Sequence, residues 1–193
     1  MCIVWMLNNH LNHFDFGYNK ERVAFGYHTT EEQGAEAVRH FYEGLPYVES
    51  VSSSESPIVW GYNGEIISEV VGKMLFASRY DYWNEDYPSF MGLTFLEGRM
   101  PMHKDEVAVN ETFIKKINWD GDVLGKIIYT DGDLDKYKVV GVLKDFKIGN
   151  INFNTEMPFV AHYRPTFGNY VHLKLKEPFI ENLQRLNKEV GEA

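Results

Sequence analysis

Leu93-Thr94-Phe95-Leu96-Glu97-Gly98-Arg99, then Asp105-Glu106-Val107-Ala108-Val109-Asn110-Glu111-Thr112-Phe113, then Leu124-Gly125-Lys126, then Tyr137-Lys138-Val139-Val140-Gly141-Val142-Leu143-Lys144-Asp145-Phe146: the fold of this chain turns on these runs. Short stretches of Val, Leu, Ile and Phe alternate with glycines and polar residues. That pattern predicts strands over 93–96, 106–109, 126–130 and 137–143. A brief helix over 111–117 carries Phe113, Ile114 and Ile117 on one side. Asp131-Gly132-Asp133 is a hairpin-type turn signal. Gly98, Gly125 and Gly141 fall where a turn, a bulge or a close backbone approach is expected. A pairing of Arg99 with Glu97 is expected, and so is a loop-capping role for Asp145 with Phe146 packed inward.

Outward from this block, 22–28 reads as a strand, and Thr30-Glu31-Glu32-Gln33 fits a capping box. Ala35, Val38, Phe41/Tyr42 and Leu45 recur at helical spacing. A strand follows over 47–52, and the serine run 52–56 is expected to be a loop. Strands over 65–71 and 74–80 are separated by Gly72-Lys73. A short helix or turn over 84–91 is expected to break at Pro88 and be capped by Gly92. Strands over 158–163 and 170–176 precede a last helix marked by Phe179, Ile180, Leu183, Leu186 and Val190, with Pro178 in its first turn. The fold class is α+β with a mostly antiparallel sheet.

Bulk composition narrows function by exclusion. The chain has 193 residues, 44% apolar and 15% aromatic, enough for a packed core in one domain or one domain with an insertion. With 19 basic and 28 acidic residues the net charge is −9, and no Lys/Arg cluster of a nucleic-acid binder is present. The same charge disfavours anionic membrane surfaces. Cys2 is the single cysteine, so no disulfide scaffold forms within the chain. No run of eighteen apolar residues occurs. Met1 to Leu7 is a short apolar patch, read either as the end of a longer hydrophobic segment or as a helix turn packing on the core.

His10 and His13 have H-x-x-H spacing with Asp15 beyond, but no convincing further ligand lies nearby. Asp131, Asp133 and Asp135 alternate as in a calcium loop, yet Lys136 and Val142 stand where Gly and Glu are required. Gly121 to Ile127 is one residue short of a phosphate loop and lacks its Ser/Thr. Tyr80, Tyr82, Trp83 and Tyr87 are the candidate partner-binding aromatics, able to stack on a sugar or grip an apolar partner, against a core-packing alternative. Asn110-Glu111-Thr112 is a formal glycosylation sequon. No catalytic, metal or cofactor-binding residue is assigned, and an enzyme is not expected.

The four runs, in this order, resemble the MacB-like periplasmic core domain of FtsX-like ABC transporter permeases. Phe90 to Arg99, Asp105 to Lys116, Leu124 to Ile127 and Tyr137 to Phe146 carry the resemblance. Phe16 to Val23 and Val48 to Ser52 extend it across essentially the whole chain. The resemblance implies a porter-like subdomain, βαβ-type and built from both chain ends, with a smaller, mainly-β subdomain inserted at about 75–136. Residues 1–19 would be a membrane-proximal segment following a missing transmembrane helix, and 20–193 the core domain. It implies an extracytoplasmic domain at the periplasmic face of the inner membrane, conveying conformational change from a cytoplasmic ABC ATPase to export or mechanical work. No cofactor is implied in this chain, since ATP would be hydrolysed by a separate domain or subunit. The implied partners are the permease's own transmembrane helices, that ATPase, a periplasmic adaptor or substrate, and a second permease copy in a homodimer. A free-standing periplasmic carbohydrate- or lipid-binding module is the alternative.

Overall fold

The computed structural model describes residues 3–4, 15–28, 32–58, 63–71, 73–130, 135–149 and 157–191. Its elements are β1 (Ile3–Val4), β2 (Val23–Tyr27), α1 (Glu32–Glu43), β3 (Val48–Ser54), β4 (Asn63–Val70), β5 (Lys73–Trp83), α2 (Tyr87–Met91), β6 (Phe95–Gly98), β7 (Glu106–Asn110), α3 (Glu111–Ile117), β8 (Ile127–Thr130), β9 (Asp135–Leu143), β10 (Phe159–Tyr163), β11 (Tyr170–Leu175) and α4 (Phe179–Gly191). The fold is mixed α/β. All strands belong to one sheet, antiparallel except at β5–β10 and β7–β9. A parallel pair needs a crossover, and for β7–β9 it is α3 with β8.

The sheet has two parts. β1-β2-β11-β3 is an open flank made from both ends of the described chain. Period-two alternation turns Ala24, Val51, Val171, Leu173 and Leu175 to one face, where Ala35 and Tyr42 of α1 and Leu183, Leu186 and Val190 of α4 pack on them. Of the adjacent pair Phe41 and Tyr42, the helical phase buries Tyr42 and leaves Phe41 exposed. The second part closes on itself: β5-β10-β7-β9-β8-β4 returns to β5 through seven β4–β5 register pairs. This six-stranded ring encloses Ile67, Val107, Val109, Ile128, Val139 and Val160, with Phe113 of α3 packed among them. A third cluster, centred on Trp83, Tyr87, Phe146 and Phe159, lies on the other face of β5, β7 and β10.

The opening runs interlock. Gly98 and Gly141 are register partners on β6 and β9. A Cβ on Gly141 would collide with the Arg99 carbonyl oxygen, and one on Gly98 with that of Val140. Gly98 also has φ +68° and Gly125 φ +87°, backbone that favours glycine. Arg99 does not pair with Glu97. Its guanidinium donates two bonds, of 2.8 and 2.6 Å, to Glu106 on β7, while Glu97, past a register shift that follows Phe95, is exposed. Asn110 caps α3, its Oδ1 accepting from Phe113 N–H at 3.0 Å and Phe159 N–H at 2.9 Å while its Nδ2 donates to the Met157 carbonyl. Asp145 accepts from the Thr112 N–H and hydroxyl, both at 2.9 Å.

Several expectations need correction. Ser52, Ser53 and Ser54 are the buried end of β3, not a loop. Pro88 lies in the first turn of α2, where its missing N–H costs nothing, and Gly92 caps the helix at φ +67°. Ile3 and Val4 pair with Phe25 and Gly26 as a strand, the conformation their β-branched side chains favour, and not as a helix turn. The unit expected at about 75–136 is hydrogen-bonded on both sides to strands outside that range, β4 and β10. His10, His13, Thr30, Glu31, Asp131 and Asp133 lie outside the described residues.

Candidate functional site

The chain passes between flank and ring twice, after β3 and after β10, and both passages run through one polar joint. Strand pairing there is reduced to Ser54 with Trp83. Backbone bonds from Glu55 N–H to the Tyr82 carbonyl (3.1 Å) and from Arg164 N–H to the Trp83 carbonyl (2.9 Å) continue it. Side chains complete it. The Glu55 carboxylate receives Arg164 and, at 2.6 Å, Asn169. Asp81 accepts from Ser56 N–H at 3.0 Å and the Trp83 indole at 2.9 Å. Burial still pushes the Asp81 carboxyl well above its usual range, those two donors only partly offsetting it.

The buried serines of β3 supply the flank's half. Ser52 donates to Asn84 at 3.0 Å, and Ser53 accepts from Gly168 N–H at 2.8 Å. Gly168 lies so close to β3 that a Cβ would strike the Ser54 carbonyl, and its own carbonyl receives His28 Nε2–H at 2.7 Å. Ser54 Oγ lies 2.8 Å from His172 Nε2 and 2.7 Å from the Ser56 carbonyl. This pair has the composition of a nucleophile and its base, but the proton count rules that role out. A carbonyl only accepts, so the hydroxyl proton goes to Ser56 and His172 Nε2–H donates to Ser54. Burial lowers His172 to about 3, so it is neutral, and both residues are almost wholly buried.

The four candidate aromatics divide into two pairs, by strand parity on β5 for Tyr80, Tyr82 and Trp83 and by the packing of α2 for Tyr87. Trp83 and Tyr87 are 1% and 0% exposed, with ring centroids 5.0 Å apart, so neither can meet a partner in the folded chain. Tyr80 and Tyr82 point the other way, partly buried, against His162 at 5.6 and 4.9 Å, where Tyr137 also contacts it. His162 Nε2 meets Glu65 Oε2 at 3.1 Å in this buried cluster. Burial pushes Tyr137 up to about 12. Arg39 of α1 reaches Asp86 at 3.5 Å and, one turn along its own helix, Glu43 at 2.8 Å, and these two carboxylates line an open cleft with Glu49, Ser50, Phe90 and Lys174. Among the described residues no group of three His, Cys, Asp or Glu side chains is placed to hold a metal ion. No described helix is long and apolar enough to cross a membrane. Buried serines and a buried aspartate were missed in the sequence because each type usually marks a surface loop.

No family model matches the chain, and no curated protein matches it in sequence. Solved structures do. The periplasmic region of MacB from Actinobacillus actinomycetemcomitans is 15% identical, with 89% of this chain and 86% of that one covered at a TM-score of 0.55. The extracellular domain of the noncanonical ABC-type transporter YknZ from Gram-positive bacteria is 14% identical, covering 86% and 93% at 0.57. A domain of a protein assigned as a permease from Porphyromonas gingivalis is 16% identical, covering 80% and 75% at 0.52. The chain has the fold of a MacB-like periplasmic domain of ABC permeases.

Proposed function

We propose that this chain is the extracytoplasmic domain of an ABC transporter permease and that it carries motion rather than chemistry. The observation behind this is the fold, shared with three such domains over 80–89% of this chain. In this reading the flank is the porter-like subdomain, residues 1–19 adjoin the membrane helices, and the inserted part, about 75–136, builds the ring together with β4, β9 and β10. A cytoplasmic ATPase moves those helices and the flank with them. The joint then sets how the ring follows, because directional hydrogen bonds hold an angle where a greasy contact would slide. Export, efflux or mechanical work is the output, with a homodimeric permease and an adaptor or substrate beyond the ring.

Two measurements on the full-length protein with its ATPase test this. With Cys2 replaced, cysteines at exposed Lys188 on α4 and Asp122 in the ring carry spin labels. The distance between them is expected to change when ATP and vanadate are added. An unchanged distribution overturns the transmission role. A membrane-impermeant maleimide added outside intact cells is expected to label Asp122→Cys, and failure to label overturns the location.

A further inference from the structure

The ring closes at its thinnest pairing. Among the described residues β4 and β8 share two register pairs, Ile67 with Thr130 and Ser68 with Tyr129. Every other neighbouring pair of ring strands shares three to seven. β4 is also irregular at that place, because both of its register shifts against β5 flank Ser68, and such shifts disrupt the ladder locally. The Ser68 hydroxyl is buried and has no hydrogen-bond partner among the described residues. Closure therefore leaves a polar group unsatisfied that water would satisfy on opening.

One side chain opposes opening. Trp119, two residues beyond α3, lies across this seam. Its indole donates to Glu69 of β4 at 2.8 Å, and the ammonium of Lys126, the residue before β8, stands over its ring at 4.9 Å. Phe113 of α3 meets the same ring at 6.2 Å. Trp119 thus ties β4 to the chain entering β8, and both to α3.

We propose that the ring is an openable closure: the β4–β8 seam parts while the other five pairings hold, and the Trp119–Glu69 bond is its clasp. β4 stays on β5 and β8 on β9, so the open form is a sheet running β4-β5-β10-β7-β9-β8. Its two end strands then present unpaired edges, and Ser68 meets water. The inference concerns the ring by itself and does not depend on the transporter reading.

Adjacent amides of β8 read the two sides. The Lys126 carbonyl accepts from the Val139 N–H, so strand alternation turns the Ile128 backbone toward β9 and that of Tyr129 toward β4. In native-state hydrogen exchange on the whole chain, the Tyr129 amide is expected to exchange at least about tenfold faster than Ile128 and to respond little to low urea, as local opening does. Glu69→Gln keeps the side chain's shape and removes its charge, while Trp119→Phe keeps a ring and removes the donor. Each is expected to speed Tyr129 by about fivefold, the scale of one charge-assisted bond. Asn110→Ala weakens contacts that the open form retains, so it should speed Ile128 and leave Tyr129 unchanged. The proposal is overturned if Tyr129 and Ile128 exchange alike, if neither clasp variant moves Tyr129, or if Asn110→Ala speeds both amides equally.

Discussion

At Gly141 the limiting quantity is space. Its backbone is not in the left-handed region, so conformational strain is not the issue; the Arg99 carbonyl and the Phe95 ring occupy the place of a Cβ. Gly141→Ala is expected to cost about 1–3 kcal/mol in urea unfolding by forcing β6 off β9, the usual range for overpacking. Equal stability would show that β6 shifts freely. Acid sensitivity is also decided by single residues. His172 is held neutral down to about 3, while in the unfolded chain it ionises near its ordinary 6.5. Between those values the unfolded state binds more protons, so stability falls as pH drops from about 6.5. His28 is lowered too, chiefly by burial, and adds with the same sign. Glu106, lowered to about 2 by Arg99, loses its contribution at lower pH, as it protonates. Replacing His172 by Gln should flatten the stability slope between pH 6.5 and 4 by about 1.4 kcal/mol per pH unit. An unchanged slope in urea titrations at several pH values would rule His172 out as the acid-sensitive group.

At the scale of elements, α3 has only seven residues and cannot hold itself in water. Its N-terminus is instead built into the ring. Asn110 joins β7, α3 and β10, while across the return from β9 the Asp145 N–H donates to the Glu111 carboxylate and the Asp145 carboxylate accepts from the Thr112 N–H. Asn110→Ala removes the cap together with the side chain's bonds to Phe159 and Met157, so a loss of about 1–3 kcal/mol is expected. A loss below 1 kcal/mol would mean that water replaces the side chain. The amphipathic helices and the β-branched strands were legible because their side chains repeat with the period of the element. The end of β3 was not legible. Three successive serines carry no hydrophobic period, and His172, Asn84 and Gly168, brought in from elsewhere, together with the Ser56 carbonyl, make burying them tolerable. Trp83 and Tyr87 posed the converse difficulty: aromatic spacing cannot distinguish a core from a binding face.

At the scale of the whole molecule, ring closure was beyond sequence reading. It depends on β4 pairing with both β5 and β8, and the β4–β8 contact joins residues some sixty positions apart. Closure has a consequence for dynamics. Every strand of the ring is paired on both sides, whereas the flank ends at β1, two residues long, and is fixed to the ring by the joint. Native-state hydrogen exchange should therefore show β7 and β9 amides opening only with global unfolding, and those of β2 opening at lower free energy. The joint sets the gap between the two. Glu55→Gln weakens the charge-assisted bond from Arg164, a partly exposed contact worth about 1 kcal/mol, and is expected to speed β2 and β11 exchange about fivefold while leaving β7 unchanged. Equal acceleration in both parts would mean that flank and ring unfold as one unit. The joint would then be a rigid weld, and any motion reaching the ring would have to carry the whole domain.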